Sequence, residues 1–397
     1  MKSLLKNLYL FAAFRTFLYR FGPAVWRLPS SLRWRLCSEQ AMLRLPHAKR
    51  WRYGHSEHIS PPALKNPSTF GHSLASRPYR LFQPFVAELE EVWLVGEHAT
   101  PVTRKGRILL TAFRDQPGML GCEPNEDLQR WVSAERWRTP RQDADFYHVC
   151  SFVNRLDPNY FHWTVEWCGQ IRGLLHYQEL AGLRPKILIR AGGSPFIRQS
   201  LELLGYGHDD LLEWGRDNEP KLVKGFIAAS LPGNRVACSP QSLVWLRETF
   251  LQAVGIIPDE IKPHRKIYIA RKKGGWRSVL NESDLLPHLL EEGFEVLNAE
   301  QLTFREQIHL FTEATLIVGL HGAGLTNILY APYASMLELI GSYGDGTWYS
   351  MTTCLKQTYD SLLCQSVGDD VIVDIPELMQ RLKSHAQQKS GAALQTS

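Results

Sequence analysis

The sequence predicts an α/β protein whose second half forms a doubly wound parallel sheet. Beyond about residue 234, short apolar segments of strand length alternate with amphipathic segments long enough for helices, an alternation typical of parallel β/α units. One apolar segment runs directly into a glycine-rich turn and then a helix, at His321 to Asn327. With 397 residues, 44% of them hydrophobic and 21% charged, the composition excludes disordered and collagen-like classes.

The elements of the second half follow the turn at Leu231 to Asn234, which we take as a domain boundary. Residues 234–385 then form one predicted domain, and a polar tail at 386–397 is expected to be frayed. The hydrophobic periodicity predicts helices over 240–254, 282–292, 303–313 and 324–331. It predicts strands over 266–270, 295–297, 316–319 and 336–340.

The first half contains a predicted domain over residues 76–233 that begins with strands. Apolar or β-branched segments separated by turn residues predict strands over 92–95, 108–113, 146–152 and 186–189. Longer amphipathic segments predict helices over 162–180 and 195–204. The alternation in its later part indicates further β/α units.

Residues 1–75 form a predicted basic arm that differs in charge from the rest of the chain. The first 60 residues carry a net charge of +9, whereas the whole chain carries +5. Apolar and basic side chains over residues 2–21 follow a helical period, which predicts an amphipathic helix. Such a helix either lies on an anionic membrane or packs on the body of the protein. Residues 22–70, rich in Pro, Arg and Trp, predict an irregular linker.

The seven cysteines indicate a reducing compartment. They are odd in number and scattered, and no C-x-x-C pair occurs among them, so we expect free thiols in a cytoplasmic protein. No apolar stretch reaches the roughly 20 residues that a membrane span requires, and no cleavable signal is evident. We therefore expect a cytoplasmic protein that associates peripherally with the inner face of the membrane, if the arm binds lipid.

The strongest local pattern is the strand-turn-helix segment that contains His321, Gly322, Ala323, Gly324 and Asn327. Free N–H groups at the start of a helix form a site for phosphate or diphosphate. The segment fits neither G-x-G-x-x-G nor the Walker pattern, which disfavours dinucleotide-binding and ATPase functions. The alternative is that the glycines only allow the helix to pack closely on its strand.

A run of cations follows the predicted strand at 266–270. Arg271 and Lys272 are expected at the same sheet edge as the glycine-rich turn, where they would neutralise a leaving diphosphate. The alternative is a solvated basic loop. Glu338 lies within an apolar strand-like segment, and it either accepts hydrogen bonds from ribose hydroxyls or faces solvent at the strand end.

An acceptor-side pattern occurs at Asn159, His162 and Glu166. His162 and Glu166 are four residues apart and share one helix face. The pair either supplies a base, Glu166 or His162, that removes the proton of an acceptor hydroxyl group, or orients that hydroxyl. The alternative is a surface ion pair.

Two acidic patterns could suggest a metal site, at Asp143 and Asp145 and at His208 to Asp210. Neither follows a convincing strand in the second half. We assign both to loops and predict no metal and no other cofactor.

Several short motifs along the chain together resemble glycosyltransferase family 61. The resemblance rests on Y-I-A-R-K-K, N-E-x-x-L, E-Q-I-x-L-F, I-V-G-x-H-G-A-G-L-T-N and L-E-L-I, with Y-F-H-W-x-x-E upstream. It covers roughly residues 150–365. It implies a GT-B fold, in which two Rossmann-like domains face each other across a cleft and the C-terminal domain holds the sugar nucleotide.

The resemblance also implies inverting, metal-independent transfer from a sugar nucleotide, commonly a UDP-sugar. Arg271 matches the family arginine after the strand, and Asn159, His162 and Glu166 match the acceptor-side pattern. The glycine-rich turn, which the resemblance assigns to donor binding, is matched by His321, Gly322, Ala323 and Asn327. Glu166 stands where many members have Asp, which moves the carboxylate by about one methylene. The expected acceptor is a glycan or a lipid-linked glycan, in capsule or other surface polysaccharide synthesis, and no nucleic-acid partner is expected.

Two other functions are compatible with parts of the sequence. One is an inactive sugar-nucleotide-binding or scaffold protein of a polysaccharide assembly complex, against which the retained Arg271, His321 and Glu166 argue. The other is a nucleotide-dependent enzyme such as a sugar-nucleotide epimerase. The absence of G-x-G-x-x-G near the N-terminus argues against an NAD-dependent epimerase.

Overall fold

The computed structural model describes residues 36–62, 75–109, 126–139, 141–154, 158–215, 219–233, 236–271 and 277–395. These residues form two compact α/β units. The first unit comprises the described residues up to Ser56 and those of Phe82–Pro232, and the second comprises those of Glu57–Leu81 and those from Gly233 onward. The mixed α/β class with parallel strand pairing agrees with the prediction. The amphipathic segment at residues 2–21 lies outside the described residues.

The first unit is built on one nine-stranded mixed sheet, as far as its residues are described. Strands are numbered along the whole chain. Those of the first unit are β1 (Leu36–Cys37), β2 (Lys49–Arg52), β5 (Phe85–Val95), β6 (Thr100–Thr103), β7 (Ile108–Leu109), β8 (Phe146–Ser151), β9 (Lys186–Arg190), β10 (Leu211–Trp214) and β11 (Lys221–Ala229).

Only part of this sheet is parallel. The strands β11, β8, β9 and β10 pair in parallel, in that order, whereas β11 pairs antiparallel with the long strand β5. The parallel pairing expected of a Rossmann-like first domain is therefore present in these four strands, but not between β5 and its neighbours. For the β5–β6 pair the cause is local, because a short turn near Gly96 joins the two strands as a hairpin, which forces antiparallel pairing.

Two helices of the first unit, Cys168–Ala181 and Pro195–Leu203, lie close to predicted positions. The helices Glu39–Met42 and Glu126–Ser133 were not predicted. The unit also has a π-helical turn at His162–Trp167 and 3₁₀ turns at Arg136–Arg138 and His208–Asp210. The helix predicted over 162–180 is thus a π-helical turn that continues into an α-helix. It ends at Gly182, whose φ of 65° is a left-handed conformation that glycine adopts readily.

The described part of the predicted irregular linker is not irregular. β1 pairs with β7, and β2 pairs antiparallel with β5, so both strands extend the first sheet. The alternation of Arg and Trp in β2 (Lys49–Arg52) reflects a strand with one face on the protein, where Trp51 packs edge-on against Tyr177. The high density of Arg and Pro obscured this two-residue period.

The second unit contains an all-parallel five-stranded sheet among its described residues. The strands of this unit are β3 (Glu57–Ile59), β4 (Tyr79–Leu81), β12 (Arg265–Ile269), β13 (Phe294–Leu297), β14 (Ala314–Leu320), β15 (Ser335–Ile340), β16 (Tyr359–Leu363), β17 (Gln365–Val367) and β18 (Asp370–Ile372). The sheet runs in the order β13-β12-β14-β15-β16. β3 pairs with β4 and β17 with β18 as separate two-stranded ribbons.

Helices cover this sheet. They are Pro240–Ala253, Glu282–Glu291, Phe304–Thr312, Thr347–Cys354 and Ile375–Gln395, with 3₁₀ segments at Pro258–Glu260, Ala299–Gln301 and Ala323–Tyr330. The tail predicted to be frayed beyond about residue 385 is helical to Gln395. A capping box fixes the start of Phe304–Thr312, because Thr303 and Glu306 exchange side-chain and backbone hydrogen bonds.

The described cysteines are buried and free of disulfides; Cys122 lies outside the described residues. Within the ranges given above, no helix combines the length and the apolar character needed to cross a bilayer.

Candidate active site

The candidate donor site lies at the carboxyl edge of the parallel sheet of the second unit. Counted along the chain, β13-β12-β14-β15-β16 has the order 2-1-3-4-5. Such sheets bind ligands outside the carboxyl ends of the strands, at the switch point between the first and third strands. Arg271 follows β12 and His321 follows β14, so these two predicted residues flank the switch point.

Arg271 lies against the glycine-rich turn. Its Nη1 donates a hydrogen bond to the carbonyl oxygen of His321, at 3.4 Å. A β-carbon at Gly322 would lie 3.0 Å from Arg271 Nη2, which is too close without displacement of the guanidinium. The φ of Gly322 is 166°, extended backbone that any residue adopts. A side chain at this position would therefore shift the guanidinium by a few tenths of an ångström.

A second guanidinium, that of Arg277, belongs to the same site, although sequence reasoning did not select it. It lies 4.8 Å over the ring of Tyr343, and its φ of 94° is rare outside glycine and typical of strained functional positions. Burial lowers the pKa of Arg277. Burial, and then the charge of Arg277, lower the pKa of Arg271. Two half-buried cations that repel each other provide a favourable environment for an anion.

Arg277 is the last residue of the basic segment that begins at Arg271. The high density of cations after a single strand could have identified Arg277 as part of the site. Lys272, the other predicted donor-binding cation, lies outside the described residues.

Glu338 is a buried partner of His321. Its carboxylate is 1% exposed; one oxygen is hydrogen-bonded to His321 Nδ1, and the other accepts from the Tyr359 hydroxyl. The alternative of a carboxylate facing solvent is therefore wrong, and a contact with ribose stays a prediction. Glu338 lies in β15, between β14 and β16; His321 follows β14 and Tyr359 belongs to β16, so both partners of the carboxylate come from the neighbouring strands.

The His321 imidazole is also interior. It is 5% exposed and packs against the rings of Tyr343 at 5.2 Å and Trp348 at 6.2 Å. Its Nε2 lies 3.9 Å from Asp345 Oδ1. The backbone N–H of His321 donates to the carbonyl of Leu339. These contacts hold the turn in place, which is a positioning role for the imidazole. The part of His321 that contacts Arg271 is its backbone carbonyl.

The turn continues into a 3₁₀ helix at Ala323–Tyr330, where an α-helix was predicted. A hydrogen bond from the Leu325 N–H to the Gly322 carbonyl closes its first turn. The N–H groups of Ala323 and Gly324 precede this bond and are oriented as the leading N–H groups of a helix. They are the backbone donors that an anion at the turn would meet.

Asn327, predicted to contact the donor, is placed differently. Its side chain is 0% exposed, and its Nδ2 donates to Gln307 Oε1 at 2.9 Å and to the carbonyl of Gly324 at 3.0 Å. The amide thereby ties the turn to the helix Phe304–Thr312. This contact gives asparagine a structural function at this position, and its contact with the donor stays a prediction.

The acceptor-side pattern forms a second cluster, in the first unit. His162 Nδ1 and Glu166 Oε2 are 2.7 Å apart, and both residues are buried, so the pair is not an exposed surface ion pair. Asn159 Oδ1 accepts from the N–H groups of Phe161 and His162, at 3.0 and 3.2 Å. Asn159 therefore caps the helix that carries the pair.

The backbone around this pair is π-helical over His162–Trp167. Single π-helical turns are rare and often mark functional positions. The ring of Trp167 lies edge-on to His162, and Trp163 Nε1 donates to Ser200 Oγ at 2.7 Å. A buried histidine whose Nδ1 is held by a carboxylate can accept a proton at Nε2.

Comparison with known proteins covers most residues of the two clusters. Residues 160–336 match the family model Glycosyltransferase 61. Over this stretch the chain is similar to that family. The match runs from the acceptor-side helix of the first unit to β15 of the second, and includes Arg271 and the glycine-rich turn.

A curated relative agrees with this assignment. Over 84 residues, the chain is 36% identical to the EGF domain-specific O-linked N-acetylglucosamine transferase of Drosophila melanogaster. The aligned stretch covers 19% of this chain and 16% of the relative, so only a small part of that protein is compared. The two matches support a glycosyltransferase.

One carboxylate of each acidic pattern has a structural partner. Asp145 pairs with Arg141 at 2.7 Å and accepts from the Leu222 N–H at 2.7 Å. Asp210 pairs with Arg184 at 2.9 Å, and this partner lowers the pKa of the Asp210 carboxyl. Within the described ranges, no group of three or more His, Cys, Asp or Glu side chains is arranged to hold a metal ion.

Proposed function

We propose that this chain is an inverting glycosyltransferase that moves a sugar from a nucleotide-sugar donor to a hydroxyl group of an acceptor. The observation that carries the proposal is the meeting of Arg271, Arg277 and the glycine-rich turn at the switch point of the second unit's sheet. Two guanidinium groups with lowered pKa values beside backbone donors suit a diphosphate. The match to the glycosyltransferase 61 family supports the same conclusion.

In this proposal the second unit binds the donor. Arg271 and Arg277 contact the diphosphate, Lys272 adds a third cation, and the N–H groups of Ala323 and Gly324 complete the site. His321, Glu338 and Asn327 act as positioning residues that hold the turn in place. A UDP-sugar is the proposed donor, and N-acetylglucosamine, named for the relative, is a candidate sugar.

The first unit supplies the base in this proposal. The acceptor hydroxyl oxygen attacks the anomeric carbon and forms the new glycosidic bond, while the bond from that carbon to the diphosphate oxygen breaks. The hydroxyl proton passes to His162 Nε2, and Glu166 orients the imidazole and stabilises its positive charge. The nucleoside diphosphate leaves with the bonding electrons, and Arg271 and Arg277 stabilise its growing charge.

The proposal includes a GT-B arrangement of the two units and reaction without a metal ion, since arginine side chains at the diphosphate can compensate its charge. The proposed acceptor is a glycan or a lipid-linked glycan of a surface polysaccharide. The proposed location is the cytoplasm, at the inner face of the membrane if residues 1–30 bind anionic lipid.

A donor screen tests the proposal. The full chain is incubated with a panel of UDP-, GDP-, ADP- and dTDP-sugars, with chelator present, and released nucleoside diphosphate is measured. We expect release from one donor, and loss of about 10²-fold or more of this rate in Arg271→Ala, as for other charge-stabilising donors. No release from any donor, with and without glycan acceptors, would leave a binding or scaffold function instead.

A further inference from the structure

The first unit contains a cavity of about 500 Å³ that is separate from the acceptor-side pair. It is lined by segments 45–48, 88–91 and 103–105 and by residues 147–148 and 224–225. His162 and Glu166 belong to the same unit but are not among its lining residues. The volume falls within the range of about 300–1,000 Å³ of small-molecule sites.

The cavity lies where three neighbouring strands are distorted at one level. The pairing of β5, β11 and β8 passes over Glu90, Gly225 and His148, one residue in each strand. In a regular strand, side chains on the same face are two residues apart. Here the side chains that flank the unpaired residue and enter the same core are three residues apart, as are Val223 and Phe226 of β11. The strands therefore bulge together, which keeps their register and bends the sheet.

Backbone strain is concentrated at this cavity. His148 and His47, both lining residues, have φ angles of 49° and 65°, in the left-handed region. Gly225 has a φ of 74°, and a β-carbon there would lie 2.7 Å from His148 Nδ1. That nitrogen is buried and has no hydrogen-bond partner among the described residues. A strained backbone and a buried nitrogen without a hydrogen-bond partner both cost folding free energy, and such features cluster at functional sites.

The lining indicates the chemistry of a ligand. Its formally charged side chains balance, with three acidic and three basic: Glu88, Glu90, Glu91, Arg104, Lys105 and Lys224. A strongly anionic or cationic ligand would meet like charges wherever it lay. A neutral ligand with many hydroxyl groups could instead donate to the carboxylates and accept from the cations.

Tyr147 adds an aromatic surface to the same cavity. Its side chain is among the large exposed hydrophobic groups, at 56% exposure, and it adjoins Lys224 across the strand pair. A sugar ring presents a face of C–H groups that packs on an aromatic ring and a rim of hydroxyl groups that needs polar partners. An exposed tyrosine beside donors and acceptors provides both.

We propose that this cavity is a second carbohydrate site, which binds a neutral sugar of the acceptor glycan away from the point of transfer. Tyr147 stacks on the sugar, while Glu90 and Lys224 bind its hydroxyl groups. Because Gly225 has no side chain, the His148 ring can pack beside it and line the cavity. That the bound sugar belongs to the acceptor rests on the proposed function. That the cavity binds a neutral sugar is independent of the proposed function.

Direct binding tests this inference without turnover. The full chain is titrated with chitotriose, cellotriose and maltotriose, followed by saturation-transfer NMR and calorimetry, with no donor present. We expect one of these trisaccharides to bind, and Tyr147→Ala to weaken it about tenfold or more. Tyr333→Ala is the matched control, since Tyr333 is an exposed tyrosine of the second unit, and we expect it to leave the affinity unchanged.

The other outcomes overturn the inference. They are no binding of any trisaccharide to the wild type, equal binding by Tyr147→Ala, and binding abolished by Glu166→Ala but not by Tyr147→Ala, which would place the sugar at the acceptor-side pair. Tyr147 is exposed, so its truncation leaves no internal hole; a melting curve checks the fold. Failure of the donor screen with intact trisaccharide binding would reject the proposed function and retain this site.

Discussion

The Arg271 guanidinium lies where a side chain at Gly322 would be, 3.0 Å from the position of its β-carbon. We therefore expect Gly322→Ala to displace the guanidinium and to weaken UDP binding about tenfold, which is 1.4 kcal/mol. Isothermal titration of UDP into the full chain measures this change.

Gly319→Ala is the matched control for this prediction. A β-carbon at Gly319 would lie 3.2 Å from Leu325 Cδ2 and 3.3 Å from Ile269 Cβ, so the crowding is similar but its two nearest atoms are apolar. We expect it to reduce stability and leave UDP affinity close to that of wild type. If both variants lose affinity equally, the contact between Gly322 and Arg271 has no particular importance.

The Tyr359 hydroxyl donates to the buried carboxylate of Glu338, which holds His321. We expect Tyr359→Phe to reduce both stability, by about 1–3 kcal/mol for the lost partner of a buried acceptor, and UDP affinity, by several-fold. Tyr268→Phe removes a comparable bond, from a buried tyrosine to Glu282 at 2.9 Å, away from the turn. It should cost similar stability without a change in affinity, and unchanged affinity in both variants would remove Tyr359 from the site.

Glu166 holds His162 Nδ1 inside the first unit. We expect Glu166→Gln to lower turnover by about 10²-fold or more, the range of general-base effects, with little change in UDP affinity. Glu179→Gln is the control, because Glu179 forms a looser pair with His176, at 3.8 Å, near the end of the same helix and is 75% exposed. Equal turnover in the two variants would contradict the assignment of the base.

Burial raises the pKa of five thiols, to about 11 for Cys37 and Cys364 and to about 12 for Cys150, Cys168 and Cys354. In the unfolded chain a thiol ionises near pH 8.5. Below that pH both states are protonated, and above it only the unfolded state loses protons. Stability therefore falls as the pH rises from about 8.5, by up to about 1.4 kcal/mol per pH unit for each thiol.

Urea unfolding at pH 7, 8 and 10, with reductant present, measures this dependence. The midpoint should change little between pH 7 and 8 and fall clearly by pH 10, with a smaller fall in Cys168→Ala. An equal midpoint at pH 8 and pH 10 would contradict the burial of these thiols.

Much of the second unit could be predicted from the sequence, because each strand and helix there carries its own local signal. The strand predicted over 266–270 is observed at Arg265–Ile269, and the helix over 240–254 at Pro240–Ala253. Arg271 and the turn at Gly322 could be brought together by one rule, that carboxyl ends of parallel strands meet at one edge.

The contacts that the sequence did not predict join side chains that are distant in sequence. Glu338 and Asn327 were assigned to the donor, and the structure gives them Tyr359 and Gln307 as hydrogen-bond partners. Local sequence carries no information on such pairs. The strand β2 was missed for another reason, since its partner β5 lies more than 30 residues away and its alternation is short.

UDP binding to paired arginine variants tests the central claim, that the carboxyl edge of the second unit's sheet holds a nucleoside diphosphate. Calorimetry compares wild type, Arg271→Gln and Arg277→Gln, with Arg265→Gln as the control at the opposite end of β12, where Arg265 pairs with Glu313. We predict that the first two variants each bind UDP about tenfold or more weakly, as loss of a charged hydrogen bond implies, and that the control binds normally. Wild-type affinity in both Arg271→Gln and Arg277→Gln would contradict the account.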